Sequence, residues 1–454
     1  MNSSSISLSP EIVEEACAPI APAGATFARR YPGESGARRP VHTVYGGAHL
    51  FRADLAGKLG AAAIGAIGTY APDPITFALA LGLPGSAQLA ETVHARVLEK
   101  LRREPVEDLR IDFEDGYGVR LDAEEDDHAV AAARALGEGM DRATLPPFIG
   151  IRVKALAAET RARAVRTLDL FLTALASTHR GRLPGGFVVT LPKITVAEEV
   201  AALASLLDAL EAKLGLANGA IGIELMIEAP QVVLGPSGAS ALPRLLDAGR
   251  GRVVGAHLGA HDYTAACAIV AAHQTLAHPA CDLARQMMQL AFAGTSVRLA
   301  DGGTNVLPIP PHKASPGGHL DSHQISHNHE TVIAAWRLHH DNIRRALIQG
   351  FYQGWDLHPA QLPVRYAATY AFFLEGLEAA SSRLVNFVNK AAQATRTGQV
   401  FDDAATGQGL LNFFLRAVDA GALTEDEAAA RTGLALAELR GKSFATIVSG
   451  RRAS

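Results

Sequence analysis

The chain has 454 residues, 48% of them hydrophobic and 19% charged, with a formal net charge of −4. It is long enough to bury a large core, and length alone allows two or three domains. That charge balance excludes a protein that wraps duplex nucleic acid or lies on an anionic membrane, since those carry a basic face.

The apolar stretches are broken by Gly, Pro or charge before a bilayer-spanning length. Met1–Ile6 has neither the basic nor the apolar segment of a secretory leader, so a cytoplasmic protein is expected. Cys17, Cys267 and Cys281 are too scattered for a disulfide framework or a thiolate zinc site and read as small buried hydrophobes.

Residues 1–40, rich in Ser, Ala, Pro and Arg, read as an irregular arm. From Val41, strand-like runs alternate with helix-like stretches. The strands expected are His42–Leu50, Leu109–Phe113, Phe148–Val153, Gly186–Leu191, Ala220–Ile227, Val253–Leu258, Ser296–Leu299 and Trp355–His358. Most read as apolar on both faces, as buried parallel strands require. Helices are expected at Glu124–Leu136, Ala157–Ser177, Val196–Leu214, Asp282–Phe292 and Thr331–Gln349. Such β-then-α units over roughly 340 residues imply an α/β fold of the (β/α)₈, or TIM barrel, kind spanning residues 41–390. A doubly wound sheet is the alternative, but no strand is followed by a dinucleotide-type glycine fingerprint.

Two inserts interrupt this pattern. Gly60–Leu83 is rich in Gly and Ala and suited to cover a barrel mouth. Asp301–Glu330 carries Pro, Gly and His and reads as a long loop. Within it His319, His323, His327 and His329 offer Zn²⁺ ligands if the segment is helical, and a polar surface loop otherwise, which is the reading preferred. Residues 391–454 form a helical C-terminal cap with helices at Gly407–Ala420 and Thr424–Arg431; Thr424-Glu-Asp-Glu427 has the form of a capping box.

Barrel chemistry sits at the C-terminal strand ends. The polar residues that fall there are Asp112-Phe-Glu-Asp-Gly116, Arg152, Lys193, Glu228, Asp262 and His358. Glu228 and Asp262 suit a hard cation such as Mg²⁺, with Mn²⁺ as a substitute, whose remaining positions go to water or substrate oxygens. Glu114 and Asp115 would hold metal-bound waters, with Lys193 beside them and Glu114 also reaching substrate. Arg152 offers a planar fork for a carboxylate. Such a site suits a small 2-oxo acid polarised by a Lewis acid. His358-Pro359 reads as the exit of the last strand rather than a catalytic group. No G-x-x-x-x-G-K-S/T phosphate loop is present.

These residues resemble the HpcH/HpaI aldolase and citrate lyase β-subunit family of phosphoenolpyruvate/pyruvate-binding barrels. The matching segments are Asp112-Phe-Glu-Asp-Gly116, Ile151-Arg-Val153, Leu191-Pro-Lys193, Met226-Ile-Glu-Ala229, Leu258-Gly-Ala-His-Asp262 and Gly350-Phe…Leu357-His-Pro-Ala-Gln361, in order, within residues 42–420. The resemblance implies a Mg²⁺-dependent carbon–carbon lyase, with Glu228 and Asp262 as metal ligands and Arg152 on the substrate carboxylate. Val400-Phe-Asp-Asp-Ala404…Gln408 is similar to a C-terminal segment that carries an acid/base aspartate in thioester-using relatives. This nominates Asp402, or Asp403, against the plainer reading of a helix N-cap. His49 stands where a strand-one histidine acts as base in pyruvate aldolases. The family's opening R-S-x-L-F-V-P-G is replaced by Val41–His49, which puts coenzyme A chemistry in doubt.

The leading expectation is a lyase or aldolase acting on a small hydroxy-oxo acid or hydroxyacyl thioester through an enolate. Its ligand would be of the pyruvate, oxaloacetate or glyoxylate type, and the enzyme a homo-oligomer with no nucleic-acid or membrane partner. A malate-synthase-like condensation of an acyl-CoA with glyoxylate is the alternative. A non-catalytic barrel subunit is the third.

Overall fold

Eight parallel strands close on one another: β1 (His42–Gly47), β2 (Asp108–Asp112), β3 (Phe148–Arg152), β4 (Val188–Leu191), β5 (Gly222–Ile227), β6 (Val253–Leu258), β7 (Arg298–Gly303) and β8 (Gln353–Asp356). β8 returns to β1 with His42 opposite Gly354 and Val44 opposite Asp356, so the sheet has no edge. This is the (β/α)₈ barrel expected, with all eight strands in the expected order. The computed structural model describes residues 7–33, 36–179, 181–315, 317–389, 395–397, 400–402 and 404–441, with backbone alone at 389, 395–397, 400–402, 404–405 and 441.

The helices in chain order are α1 (Pro10–Cys17), α2 (Ile20–Arg30), α3 (Leu55–Tyr70), α4 (Pro74–Leu81), α5 (Ala87–Arg103), α6 (Asp122–Arg142), α7 (Arg161–Thr178) and α8 (Ala197–Leu214). There follow α9 (Pro230–Val233), α10 (Leu242–Ala248), α11 (Ala260–Ala266), α12 (Pro279–Phe292), α13 (Ser322–Ile348) and α14 (Leu362–Asn389). A ribbon, β9 (Thr395–Thr397) with β10 (Val400–Asp402), leads to α15 (Ala404–Ala420), α16 (Glu425–Thr432) and α17 (Leu436–Gly441). No described helix is long and apolar enough to cross a membrane.

Several expectations are corrected. The arm is not irregular, because residues 10–30 form α1 and α2. Neither helix buries a residue, so no core-facing stripe marks them in the sequence. Cys17 lies on this exposed arm and Cys267 is also exposed; only Cys281 of the three is buried. Gly60–Leu83 forms most of α3 and all of α4, which pack on α5, and α3 also packs on the turn that follows β8. The loop expected to reach Glu330 ends at Asp321, which caps α13 reciprocally with Gln324. His323 and His327 are therefore helical, and His327 Nδ1 meets His312 Nε2 at 2.9 Å. His329 instead meets the Tyr70 carbonyl at 3.1 Å.

The strands are not apolar on both faces. Leu109 and Ile111 of β2 join the hydrophobic core under the helices. Asp108, Arg110 and Asp112 alternate with them and are equally buried, facing the barrel interior. Arg110, with no exposed surface, donates from Nε and Nη2 to Glu224 at 2.9 and 2.7 Å and from Nη2 to Asp108 at 3.0 Å. Thr190 also donates to Glu224, at 2.7 Å. His257 Nε2 stands 2.9 Å from Glu224, while its Nδ1 accepts from the Trp355 indole at 3.1 Å and lies 3.1 Å from the Tyr45 hydroxyl. An indole N–H can only donate, which leaves Nε2 as the protonated nitrogen toward Glu224. An ionic network thus fills the barrel where apolar layers usually do.

The tail packs beside the barrel. α15 runs back along α14, with Phe413 against Phe373 (centroids 5.3 Å apart), and the Thr424–Glu427 capping box forms as expected. Near this junction Glu104 accepts from Arg38 and, at 2.6 Å, from Lys100. Burial pushes the Glu104 carboxyl up, but Arg38 and Lys100 bring it down to about 2. A carboxyl held lower in the folded than in the unfolded chain stabilises the fold above its ordinary range, and that stability is lost as pH falls through the folded value. Glu104→Gln should therefore lower Tm at neutral pH, by a margin that shrinks between pH 4.5 and about 2. A deficit that is constant across that range would contradict this account.

Candidate active site

The C-terminal strand ends open on a cavity of about 560 Å³, on the face where barrels carry chemistry. One side is charged: Asp112 ends β2, Arg152 ends β3, Glu228 follows β5 and Asp262 lies in the first turn of α11. The other side is apolar, built from Tyr45 of β1, Trp355 of β8 and leucines before and within α3.

Glu228 is 4% exposed. Its Oε2 accepts from the Lys193 backbone N–H at 2.6 Å. Gly259 makes this fit possible, since a Cβ there would sit 2.2 Å from Glu228 Cγ. Lys193 adopts φ +52°, a left-handed conformation costly for a side-chain-bearing residue and typical of functional sites. That bend lets its backbone serve Glu228 while Nζ bonds Glu114, meets both Asp115 oxygens at 3.2 Å and lies 3.8 Å from Asp262. Glu114, Asp115, Lys193, Glu228 and Asp262 are thereby brought into one cluster.

Arg152 joins them in a way the sequence did not reveal. Its Nε and Nη2 clamp Asp112 at 2.7 and 2.5 Å, and its Cζ lies 4.8 Å from the centre of the Tyr45 ring. Nη1 faces Glu114 at 3.2 Å. The planar fork is therefore held by Asp112, and Nη1 is the edge turned toward the charged cluster. Arg152→Lys keeps one charge but loses both the clamp and the stacking. It should weaken 2-oxo-acid binding about tenfold or more, measured by calorimetry. Unchanged affinity would make Arg152 a structural ion-pair partner.

His49 stands apart from the cavity lining. It lies in a short turn after β1, with its ring 5.6 Å from that of Tyr117 and 6.1 Å from that of His128. His261 lines the cavity instead, and its buried Nε2 has no hydrogen-bond partner among the described residues. His358 also lines it and caps the following turn, its Nδ1 accepting from the Ala360 N–H at 3.2 Å. Asp402 ends β10, at the turn of the α14–α15 hairpin; its side chain and all of Asp403 fall outside the described residues. α14 starts at the mouth with Leu362 and runs for 28 residues, about 42 Å at 1.5 Å per residue. The ribbon thus follows the end of α14 remote from its own mouth.

Asp112, Glu114, Asp115, Glu228 and Asp262 face Arg152 and Lys193, five carboxylates against two cations. Burial above all, with Asp262 and Glu114 adding to it against Lys193, pushes the Glu228 carboxyl up to about 8. Glu114 is likewise pushed up by burial. A hard divalent cation at Glu228 and Asp262 fits this oxygen-rich, cation-poor set. Among the described residues no group of three or more His, Cys, Asp or Glu is arranged to hold a metal. A cation here would therefore take two protein carboxylates and complete its shell with water or substrate oxygens, as Mg²⁺ does.

Among solved structures, the fold is similar to that of a citrate lyase from Burkholderia xenovorans LB400, with TM-score 0.53 and 20% identity over 77% of this chain and 94% of that one. A malate synthase from Haloferax volcanii, in its native form with glyoxylate, gives TM-score 0.44 and 15% identity over 91% of this chain and 99% of that one. At 20% identity the likeness to the citrate lyase is one of fold, which does not fix function. No curated protein matches the sequence. One family model, described as a domain of unknown function (DUF6986), matches residues 20–447. That match takes in α2, the whole barrel and the tail helices, and the chain belongs to the DUF6986 family.

Proposed function

We propose that the mouth binds a small 2-oxo acid and makes or breaks a carbon–carbon bond next to the oxo group, as a divalent-cation-dependent lyase of the HpcH/HpaI aldolase and citrate lyase β-subunit kind. The observation that carries this reading is the meeting of Glu228 and Asp262 at a cavity also lined by Arg152. Mg²⁺ or Mn²⁺ at the two carboxylates would supply Lewis-acid polarisation of the oxo group. Arg152 Nη1 receives the substrate carboxylate, and the Asp112 clamp keeps the guanidinium from swinging away. Lys193 ties Glu114 and Asp115 into position and holds Glu228 through its backbone.

The proton on the reacting hydroxyl needs a base. Asp402 serves only if a second copy of the chain delivers its α14–α15 hairpin to the mouth, so this reading requires a homo-oligomer. Mixing inactive Asp402→Asn with inactive Glu228→Gln subunits should then restore turnover, because mixed assemblies contain intact shared sites. If Asp402→Asn is fully active, the base lies within one chain, and His261 is the group placed to serve. The overall reading is tested by a thermal-shift and product-formation screen of pyruvate, oxaloacetate and glyoxylate with and without Mg²⁺. Full turnover in excess chelator would end the metal-dependent reading.

A further inference from the structure

The mouth is divided by strand order. Its charged residues come from the ends of β2, β3 and β5 and the start of α11, which follows β6, whereas β8, β1, α3 and the turns beside them supply its apolar side chains: Tyr45, Leu50, Leu55, Leu59, Trp355 and Leu357. Leu50 is 61% and Leu357 38% exposed, so both are open to a ligand that enters the cavity. Among the described residues lining the cavity, Arg152 is the one Lys or Arg, and it belongs to the charged half. Its guanidinium lies over the Tyr45 ring but is clamped by Asp112 and faces Glu114, so Leu50, Leu55, Leu59, Trp355 and Leu357 present no Lys or Arg to a second carboxylate or to the phosphates of a nucleotide carrier. The volume, about 560 Å³, lies in the range of sites that enclose drug-sized ligands, roughly 300–1,000 Å³. That is far more than the six heavy atoms of pyruvate need.

We propose that the substrate is a 4-hydroxy-2-oxo acid carrying an apolar substituent of branched-alkyl or phenyl size at C4, seated on the Tyr45–Leu55–Leu59–Trp355 wall. This rests on the lyase reading above and adds the identity of the second product. The C4 hydroxyl gives its proton to the base and becomes an aldehyde carbonyl as the C3–C4 bond breaks. The electron pair of that bond stays with C3, which takes up one proton, so the products are pyruvate and an apolar aldehyde. No oxidant or co-reactant enters. α3 is then the specificity element, since Leu55 and Leu59 stand one turn apart on its first two turns.

The test uses the full chain with Mg²⁺. In calorimetry, 4-phenyl-2-oxobutanoate should bind about tenfold or more tightly than pyruvate, a ratio in keeping with filling an apolar pocket. Leu59→Ala should reduce that ratio severalfold. In turnover, C4-isobutyl and C4-phenyl substrates should exceed the C4-methyl and C4-carboxymethyl ones in kcat/KM. Leu50→Lys, at a lip position that tolerates charge, should shift the preference toward carboxymethyl. Equal affinity for pyruvate and its phenyl homologue, or a wild-type preference for the carboxymethyl substrate, overturns the proposal and leaves the lyase reading standing. Binding of neither ligand overturns both.

Discussion

Glu228→Gln should cost about a thousandfold or more in turnover and abolish the thermal shift produced by Mg²⁺, while the metal-free variant remains at least as stable as the metal-free wild type. The two halves of this result have one cause. Glu228 is buried beside Asp262 and Glu114, and without a cation its charge is a burden on the fold. The amide keeps the shape and can still accept the Lys193 N–H, so the fold loses nothing. It cannot bind a hard cation as a carboxylate does, so several kcal/mol of Lewis-acid stabilisation vanish, about 4 kcal/mol for a thousandfold. Asp262→Asn should lose activity similarly but gain less stability, because the Asp262 side chain is 44% exposed and already solvated. Stability curves in chelator, with and without added Mg²⁺, separate the two effects. A Glu228→Gln protein that is much less stable than wild type in chelator would show the carboxylate to be structural.

Arg110→Leu should destabilise the barrel by about 3–5 kcal/mol, or prevent folding, although it exchanges a polar side chain for an apolar one inside a protein. Removing the guanidinium strands Asp108 and Glu224 without their shared cation, and an uncompensated buried charge costs about that much. Glu224→Gln, which spares the hydrogen-bond pattern in part, should be milder in urea denaturation. The double change Arg110→Leu with Glu224→Leu should cost less than the sum of its parts, since each removes a burden created by the other. Loss of less than about 1 kcal/mol from Arg110→Leu would mean that water or rearrangement replaces the network.

Most strand positions were legible from short apolar runs between turn signals, and the charged residues at their ends sorted themselves by that register; β7 and β8 were displaced, expected at Ser296–Leu299 and Trp355–His358 but found at Arg298–Gly303 and Gln353–Asp356, whose polar and glycine residues make no apolar run. What the strand runs did not convey is the interior. Asp108-Leu-Arg-Ile-Asp112 alternates in the manner of a half-exposed strand, and nothing local tells an observer that its polar face meets Thr190 and Glu224 across a closed barrel rather than water. Asp112 was visible within a motif, but its partner Arg152 lies forty residues away, and long-range pairing has no periodicity to betray it. The start of α13 was legible in principle from Asp321 and Gln324; the histidines around that capping box distracted from it. The exposed arm helices and the apolar half of the mouth share one reason for escaping notice. Neither follows a core-facing pattern, and such patterns are what a single sequence displays most clearly.

Tyr45 and Trp355 line the cavity on one side and reach His257, and through it Glu224 and Arg110, on the other. An engineer who wished to raise the melting point would ordinarily exchange such a buried ion cluster for well-packed aliphatics, a change that is often neutral or favourable. Here that exchange would remove the anchor of the two aromatic rings, and with the Tyr45 ring the surface on which Arg152 rests. Thermostable homologues should therefore be found to differ on the helices and the tail and to retain this cluster, so that robustness in this barrel is bought outside its centre.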